Sequence, residues 1–257
     1  MPHTLTADAL ARVSAIGGYF AVSCGPRTDA EGFRPLTDLY RDPAALAEYV
    51  TSMGRRLGTD QRRVAASTLH IGTAARLWSI ALGTAALTGW VPDLAPERLW
   101  WRAPASGPID LWMPRTVRAA NGDEVPDALQ ETVAAHNLLP LDGALQRHFG
   151  LSPQVMRGNA TSALMGALRV LLAQAPNAPH PPLPFVTALL RREPLASAGA
   201  LTLSPLTYRR RSCCLYYRVP GGGYCGDCVL TRTDIRTDIR TAPGTAPGTA
   251  PRTDPHA

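Results

Sequence analysis

The chain of 257 residues contains no lysine, and all 26 of its basic residues are arginine. With the heavy use of alanine, proline and glycine, this reads as the product of GC-rich coding rather than a functional demand. No dense basic-aromatic patch is present, which argues against nucleic acid as a partner. Long apolar runs are missing too. The longest uncharged apolar stretch, around Leu77 to Val91, has about 15 residues, short of the ~20 that a spanning helix needs. No G-x-G-x-x-G follows a strand and there is no P-loop, so neither a nicotinamide, a flavin nor a nucleotide has a recognisable cradle. H-E-x-x-H and similar His/carboxylate spacings are absent, as is any Ser/His/Asp or nucleophilic-Cys constellation, so hydrolytic chemistry has no support. Net charge is +6, enough to favour an anionic ligand, an acidic electron donor or an anionic membrane surface, and equally compatible with a plain soluble basic protein.

Cysteine is scarce but concentrated. Of five, four lie in the stretch from Arg209 to Cys228, as Cys213-Cys214 and Cys225-x-x-Cys228. Thiolates serve as metal ligands, disulfide partners or redox groups, and three centres compete here. A zinc ion takes four thiolates tetrahedrally, usually from two knuckles; Cys225 and Cys228 make one, but adjacent Cys213 and Cys214 make a poor second. Neighbours in an extended segment point to opposite sides, so the chain has to bend there. A two-iron cluster spreads four ligands over two metals and tolerates more splay. Disulfides are the third option, although adjacent cysteines rarely bridge each other. The fifth cysteine, Cys24, ends an apolar run that begins at Ser14 and faintly resembles a lipoprotein signal. Asp8 offsets Arg12, and Ala21 stands where a bulky aliphatic is expected, so the reading is a buried small hydrophobe in a cytoplasmic chain.

Taken in order, residues 5 to 13 suit a short helix. Asp42-Pro43 opens another, which runs to about Leu57 and stops at Gly58. Thr59-Asp60 is expected to cap a long alanine-rich helix reaching Thr84 to Leu87, apolar around most of its circumference and therefore central, with Gly72 and Gly83 allowing close neighbours. His70 and Arg76 lie within it, and His70 reads as a hydrogen-bonded core residue. Around Ala103–Pro108, Leu99-Trp100-Trp101-Arg102 and Ile109-Asp110-Leu111-Trp112-Met113 read as a hairpin; its tryptophans form either a hydrophobic face or a ligand platform. A helix from Asp127 is expected to break before Pro140, with a second short one from Asp142 to Phe149. His136 and His148 take surface or cap positions. Ser152-Pro153 starts a helix to about Ala173, in which the amide of Asn159 is expected to bond across the core. A Pro-rich linker follows, then a helix from Pro184. Gly221-Gly222-Gly223 lets the chain double back so that Cys225 and Cys228 face Cys213 and Cys214. Beyond Leu230 the tandem repeats cannot bury enough to order themselves. The expected fold is mostly α (α+β): a helical domain over 1–200 with a small hairpin, a cysteine-rich segment over 201–230, and a disordered tail over 231–257.

The sequence Arg210-Arg211-Ser212-Cys213-Cys214-Leu215-Tyr216-Tyr217-Arg218, then Pro220 to Cys228, resembles the FhuF family of ferric-siderophore reductases. Met156-Arg-Gly-Asn-Ala-Thr-Ser-Ala-Leu164 is similar to that family's Gly-Asn-Ala helix. The cysteine motif is specific and matches at every position; the remaining likeness runs loosely over residues 15 to 230. The resemblance implies a [2Fe–2S] cluster held by Cys213, Cys214, Cys225 and Cys228. It also implies one-electron reduction of a ferric siderophore in the cytoplasm, releasing Fe(II). The electron then comes from a donor protein, a ferredoxin or a flavin reductase, and membrane association is at most peripheral. Arg209, Arg210, Arg211 and Arg218 would add positive charge near the cluster, and amides of Gly221 to Gly223 and Gly226 would donate to sulfur. Three other readings stay open: a ferredoxin-like carrier with no substrate site, a zinc-stabilised interaction module, and an iron sensor.

Overall fold

In the computed structural model, residues 3–114, 117–120 and 125–230 are described; the tail expected at 231–257 lies outside them. The architecture is mostly α with small sheets. Its spine is a helix, α4, Arg62–Thr88. At ~1.5 Å per residue it spans roughly 40 Å. Leu69, Leu77, Trp78, Ile80 and Leu82 are fully buried along it, and each contributes ~1.5–3 kcal/mol of apolar burial. Its start differs from the sequence expectation. Gln61, not Thr59-Asp60, is the N-cap, and it makes no side-chain capping bond. Instead the Thr59 hydroxyl accepts from the Gln61 amide at 3.2 Å and fixes the turn one step earlier. Of the two glycines, only Gly83 marks a close approach: a Cβ there would stand 2.8 Å from the Phe20 ring, whereas nothing lies within 4 Å of one at Gly72.

Around the spine pack α1 (Ala7–Ser14), α3 (Pro43–Leu57) and α7 (Pro153–Gln174), with α2 (Leu36–Arg41) set against α3. α3 begins and ends as its sequence signals: Asp42 Oδ1 accepts from the Ala44 amide at 2.8 Å, and Gly58 closes it at φ +63°. Ser152 caps α7 by accepting from the Gln154 amide at 3.3 Å.

The helix expected to break before Pro140 does not. Val125–Leu129 (α5), a π-helical stretch Gln130–Leu138 and Leu139–Phe149 (α6) run on without interruption. Proline lacks an N–H and its ring crowds the carbonyl four residues back; the wider π turn relieves that crowding. The buried side chain of Asn137 braces the stretch. Its Nδ2 donates to the carbonyls of Thr132 (2.7 Å) and Leu94 (2.9 Å), and its Oδ1 accepts from Tyr40 (2.8 Å). The next helix, α8, is Pro182–Leu189 and so opens two residues before Pro184.

Three strands, β1 (His3–Leu5), β4 (Val91–Pro92) and β7 (Val117–Ala120), pair in the order β1-β7-β4. The tryptophan hairpin forms as expected, from β5 (Trp100–Arg102) and β6 (Asp110–Met113), inside a four-stranded sheet with β2 (Ser23–Cys24) and β3 (Arg34–Pro35). Trp100 and Trp112 are cross-strand partners with ring centroids 5.7 Å apart. Trp101 is buried against Tyr49, centroids 5.2 Å apart. Trp101 and Trp112 lie on opposite faces of the sheet, and both are buried in packing rather than set on an open platform. Arg76 ties this sheet to the spine. Nearly inaccessible, it donates to the carbonyls of Ile109 (2.9 Å), Gly18 (2.7 Å) and Ala21; burial lowers its pKa to about 10, which leaves it charged at neutral pH. His70 is a core residue, its Nε2 2.7 Å from Asp142 Oδ1.

A second hairpin, which no local sequence signal marks, pairs β8 (Gly199–Leu203) with β9 (Leu206–Arg210). It carries the chain out of α8 and delivers the cysteine loop onto α4 and α7.

Candidate metal centre

The loop begins where β9 ends. The Arg210 amide donates to the Asp227 carbonyl at 3.1 Å, which pins the second cysteine pair beside the strand that leads into the first. Asp227 is buried and its carboxylate accepts from Arg169 of α7 at 2.7 Å. On the other side, the Cys214 carbonyl accepts from the Ser67 hydroxyl of α4 at 2.7 Å. Both ends of the loop are thus anchored to the two most tightly packed helices of the molecule.

The bend that adjacent cysteines require is present. Leu215, directly after Cys214, has φ +68°, the one non-glycine among the described residues on that side of the map. Such a backbone costs of order 1–3 kcal/mol and persists where surroundings enforce it. It turns the chain into a short 3₁₀ turn, Tyr216–Arg218. Two of the three glycines then reverse it: Gly221 has φ +69°, and a Cβ on Gly222 would meet the carbonyls of Tyr216 and Val219 at 2.8 Å.

All four cysteines of the loop are free thiols, Cys214 buried and the others partly so. Cys214 and Cys225 share a hydrogen bond. It holds Cys214 down, to about 6, and pushes Cys225 up. Cys213 is raised, chiefly by burial and against the pull of the Leu215 amide, which donates to its sulfur at 3.3 Å. Amides of Tyr216 and Asp227 act on Cys214 and Cys225 in the same sense. The loop thus brings the thiols into mutual electrostatic reach. Among the described residues, however, no three His, Cys, Asp or Glu side chains converge as a ready metal cage.

Arg210 is the one buried arginine of the loop, 2% exposed. Its Nε donates to the Ser212 carbonyl (2.9 Å), and its Nη2 donates to the Val155 carbonyl (3.2 Å) and to Asn159 Oδ1 (2.8 Å). Nη1 is buried with no partner. Asn159 in turn donates to the Ser67 carbonyl (3.1 Å) and hydroxyl (3.0 Å). The cross-core bond expected of Asn159 is therefore part of a relay, Ser67–Asn159–Arg210, that borders the cysteines. Gly158 makes room for it, since a Cβ there would stand 2.4 Å from Ser212 Oγ and 2.7 Å from Arg210 Nη2. Ser67 did not stand out as a site residue in the sequence alone, and Gly158 only as part of the Gly-Asn-Ala helix. By contrast Arg209, Arg211 and Arg218 are exposed, with Arg218 over the Tyr217 ring.

Residues 210–230 match the family model for the FhuF 2Fe-2S C-terminal domain. The chain matches no curated protein. The family match indicates a [2Fe–2S] cluster, and the loop suits one chemically. It offers four thiols, amides directed at sulfur, and a buried guanidinium with a spare N–H beside a group whose four thiolates make it anionic. An iron–sulfur segment similar to the C-terminal domain of the FhuF family is what this loop defines.

Proposed function

We propose that the protein is a ferric-siderophore reductase in which Cys213, Cys214, Cys225 and Cys228 hold the cluster. The observation that carries the reading is the match of residues 210–230 to the FhuF cluster domain, set on a helical body far larger than an electron carrier needs. When bound, a [2Fe–2S] cluster stores and passes single electrons. That suits the substrate: hard oxygen donors grip Fe(III) tightly and Fe(II) weakly, so one added electron, supplied by a ferredoxin or flavin reductase, frees the metal and leaves the chelator intact.

The chain's own residues have separable tasks. Ser67, Asn159 and Asp227 fix the loop to the helical body. Leu215 and Gly222 shape its two turns. Tyr216, Tyr217 and Tyr224 are exposed around the cysteines, with Tyr217 and Tyr224 stacked at 6.3 Å. Exposed Arg209, Arg211 and Arg218 accompany them, and the sole carboxylate in residues 199–230, Asp227, is buried. This basic, aromatic rim is the surface on which a bulky ferric chelate can approach the loop.

The test is a stoichiometric reaction without air. Protein reduced with dithionite and freed of excess reductant is mixed with a ferric hydroxamate or catecholate, with a ferrous chelator as trap. Release of about one Fe(II) per reduced cluster, faster than from the siderophore with reduced ferredoxin alone, supports the reductase. Oxidation by proteins only, with no Fe(II) released, makes it a carrier.

A further inference from the structure

The positively charged residues of the cysteine loop are not equivalent. Arg209, Arg211 and Arg218 are exposed, and water and salt screen such charges. Arg210 is sealed from solvent. Among the described residues no salt bridge joins it to a carboxylate; Asp227, the loop's one acid, pairs with Arg169 instead. Two of its three nitrogens are committed to Ser212, Val155 and Asn159, and the third, Nη1, keeps a buried donor without an acceptor. Buried unpaired donors are rare and call for an explanation. The guanidinium also acts electrostatically on Cys213, Cys214 and Cys225, and a buried charge acts far more strongly than an exposed one.

We propose that Arg210 is the residue that sets the reduction potential of the centre: its Nη1 donates to a sulfur of the cluster, and its uncompensated charge favours the reduced, more negative state. Gly158, Asn159 and Ser67 are the positioning residues that hold it there. The Arg157-Gly158-Asn159 turn of α7 and the Arg210-x-x-Cys213 segment, far apart in sequence, form one device. The inference rests on the cluster being present, and not on the identity of the substrate.

The experiment is a redox titration of the holoprotein, followed by visible absorption and EPR, for wild type, Arg210→Met, Arg210→Lys and Arg211→Gln. Iron and sulfide are counted for each. At equal cluster content, Arg210→Met is expected to disfavour reduction at least tenfold, which for one electron is ~59 mV towards negative potential. Arg210→Lys, which keeps the charge without the fork, is expected to fall between it and wild type, and Arg211→Gln to stay within twofold of wild type. An Arg210→Met potential within twofold of wild type at full cluster content overturns the proposal. Should Arg210→Met fail to take up cluster, wild type labelled with ¹⁵N-arginine decides the matter. Pulsed EPR of its reduced state is expected to show one close arginine nitrogen, and the absence of any overturns the proposal. A colourless wild type would instead remove the cluster itself, a failure distinct from an unshifted potential in a coloured protein.

Discussion

Gly158 and Asn159 show how narrow the tolerances are around the cysteine loop. Alanine at Gly158 puts a methyl into the Ser212 hydroxyl and the Arg210 guanidinium; overpacking of this kind costs ~1–3 kcal/mol. Gly158→Ala is therefore expected to lower the denaturant midpoint of the metal-free chain and to reduce iron bound per chain. Asn159→Leu removes one acceptor of Arg210 Nη2, which keeps the Val155 carbonyl, and the amide donor to Ser67. The lost hydrogen bond to the charged guanidinium costs about 1.5–3 kcal/mol, and thermal unfolding of the variant measures it. The sequence made Asn159 legible, because asparagine is a weak helix former and so suggests a hydrogen-bonding task. Ser67 and the depth of Arg210 were not legible. Their partners are 92 and 51 residues away, and nothing local distinguishes buried Arg210 from exposed Arg209 and Arg211.

Helix α7 supplies its own control at the scale of the element. Gly166 lies in the same helix, with nothing within 4 Å of a Cβ, so Gly166→Ala is expected to stabilise by up to ~1 kcal/mol where Gly158→Ala destabilises. Denaturant titration of the pair separates helix propensity from the demand of the site. In the loop between β2 and β3, Arg27 grips Asp29 through both carboxylate oxygens at 2.7 Å. This hydrogen-bonded pair lowers Asp29 from 3.8 to about 2. A depressed carboxylate stabilises above its unfolded value and loses that contribution as pH falls through its folded value. The stability difference between wild type and Asp29→Asn is thus expected at neutral pH and to vanish between about pH 4 and pH 2, as acid unfolding curves read it. Local signals predicted α3, α7 and the tryptophan hairpin because caps, proline and aromatic alternation act over a few residues. They failed at Pro140, where a π-helical stretch braced by Asn137 absorbs the proline. They also failed at β8 and β9, where pairing depends on packing against the body.

At the scale of the whole molecule, one long buried helix carries the redox loop at Ser67 and the tryptophan sheet at Arg76, roughly 13 Å further along its axis. A cleft of about 420 Å³ opens beside that sheet, lined by Arg27, Arg76, Ile109 and Asp110 among others. Arg76 is spent on carbonyls there, so the cleft reads as a seam of the fold rather than as the place of chemistry. No helix among the described residues is long and apolar enough to cross a membrane. The cysteine lobe was the most legible part of the chain through its resemblance to the FhuF motif, whereas spacing alone left a two-iron cluster, zinc and disulfides open. Its attachment to α4 and α7 emerged only from the fold. Whether this lobe carries a two-iron cluster is read directly by the iron and acid-labile sulfide content of protein purified without air, with EPR after one-electron reduction. Two irons and two sulfides per chain, with a spin-½ signal on reduction, are expected. A colourless protein holding one zinc ion per chain would contradict the account.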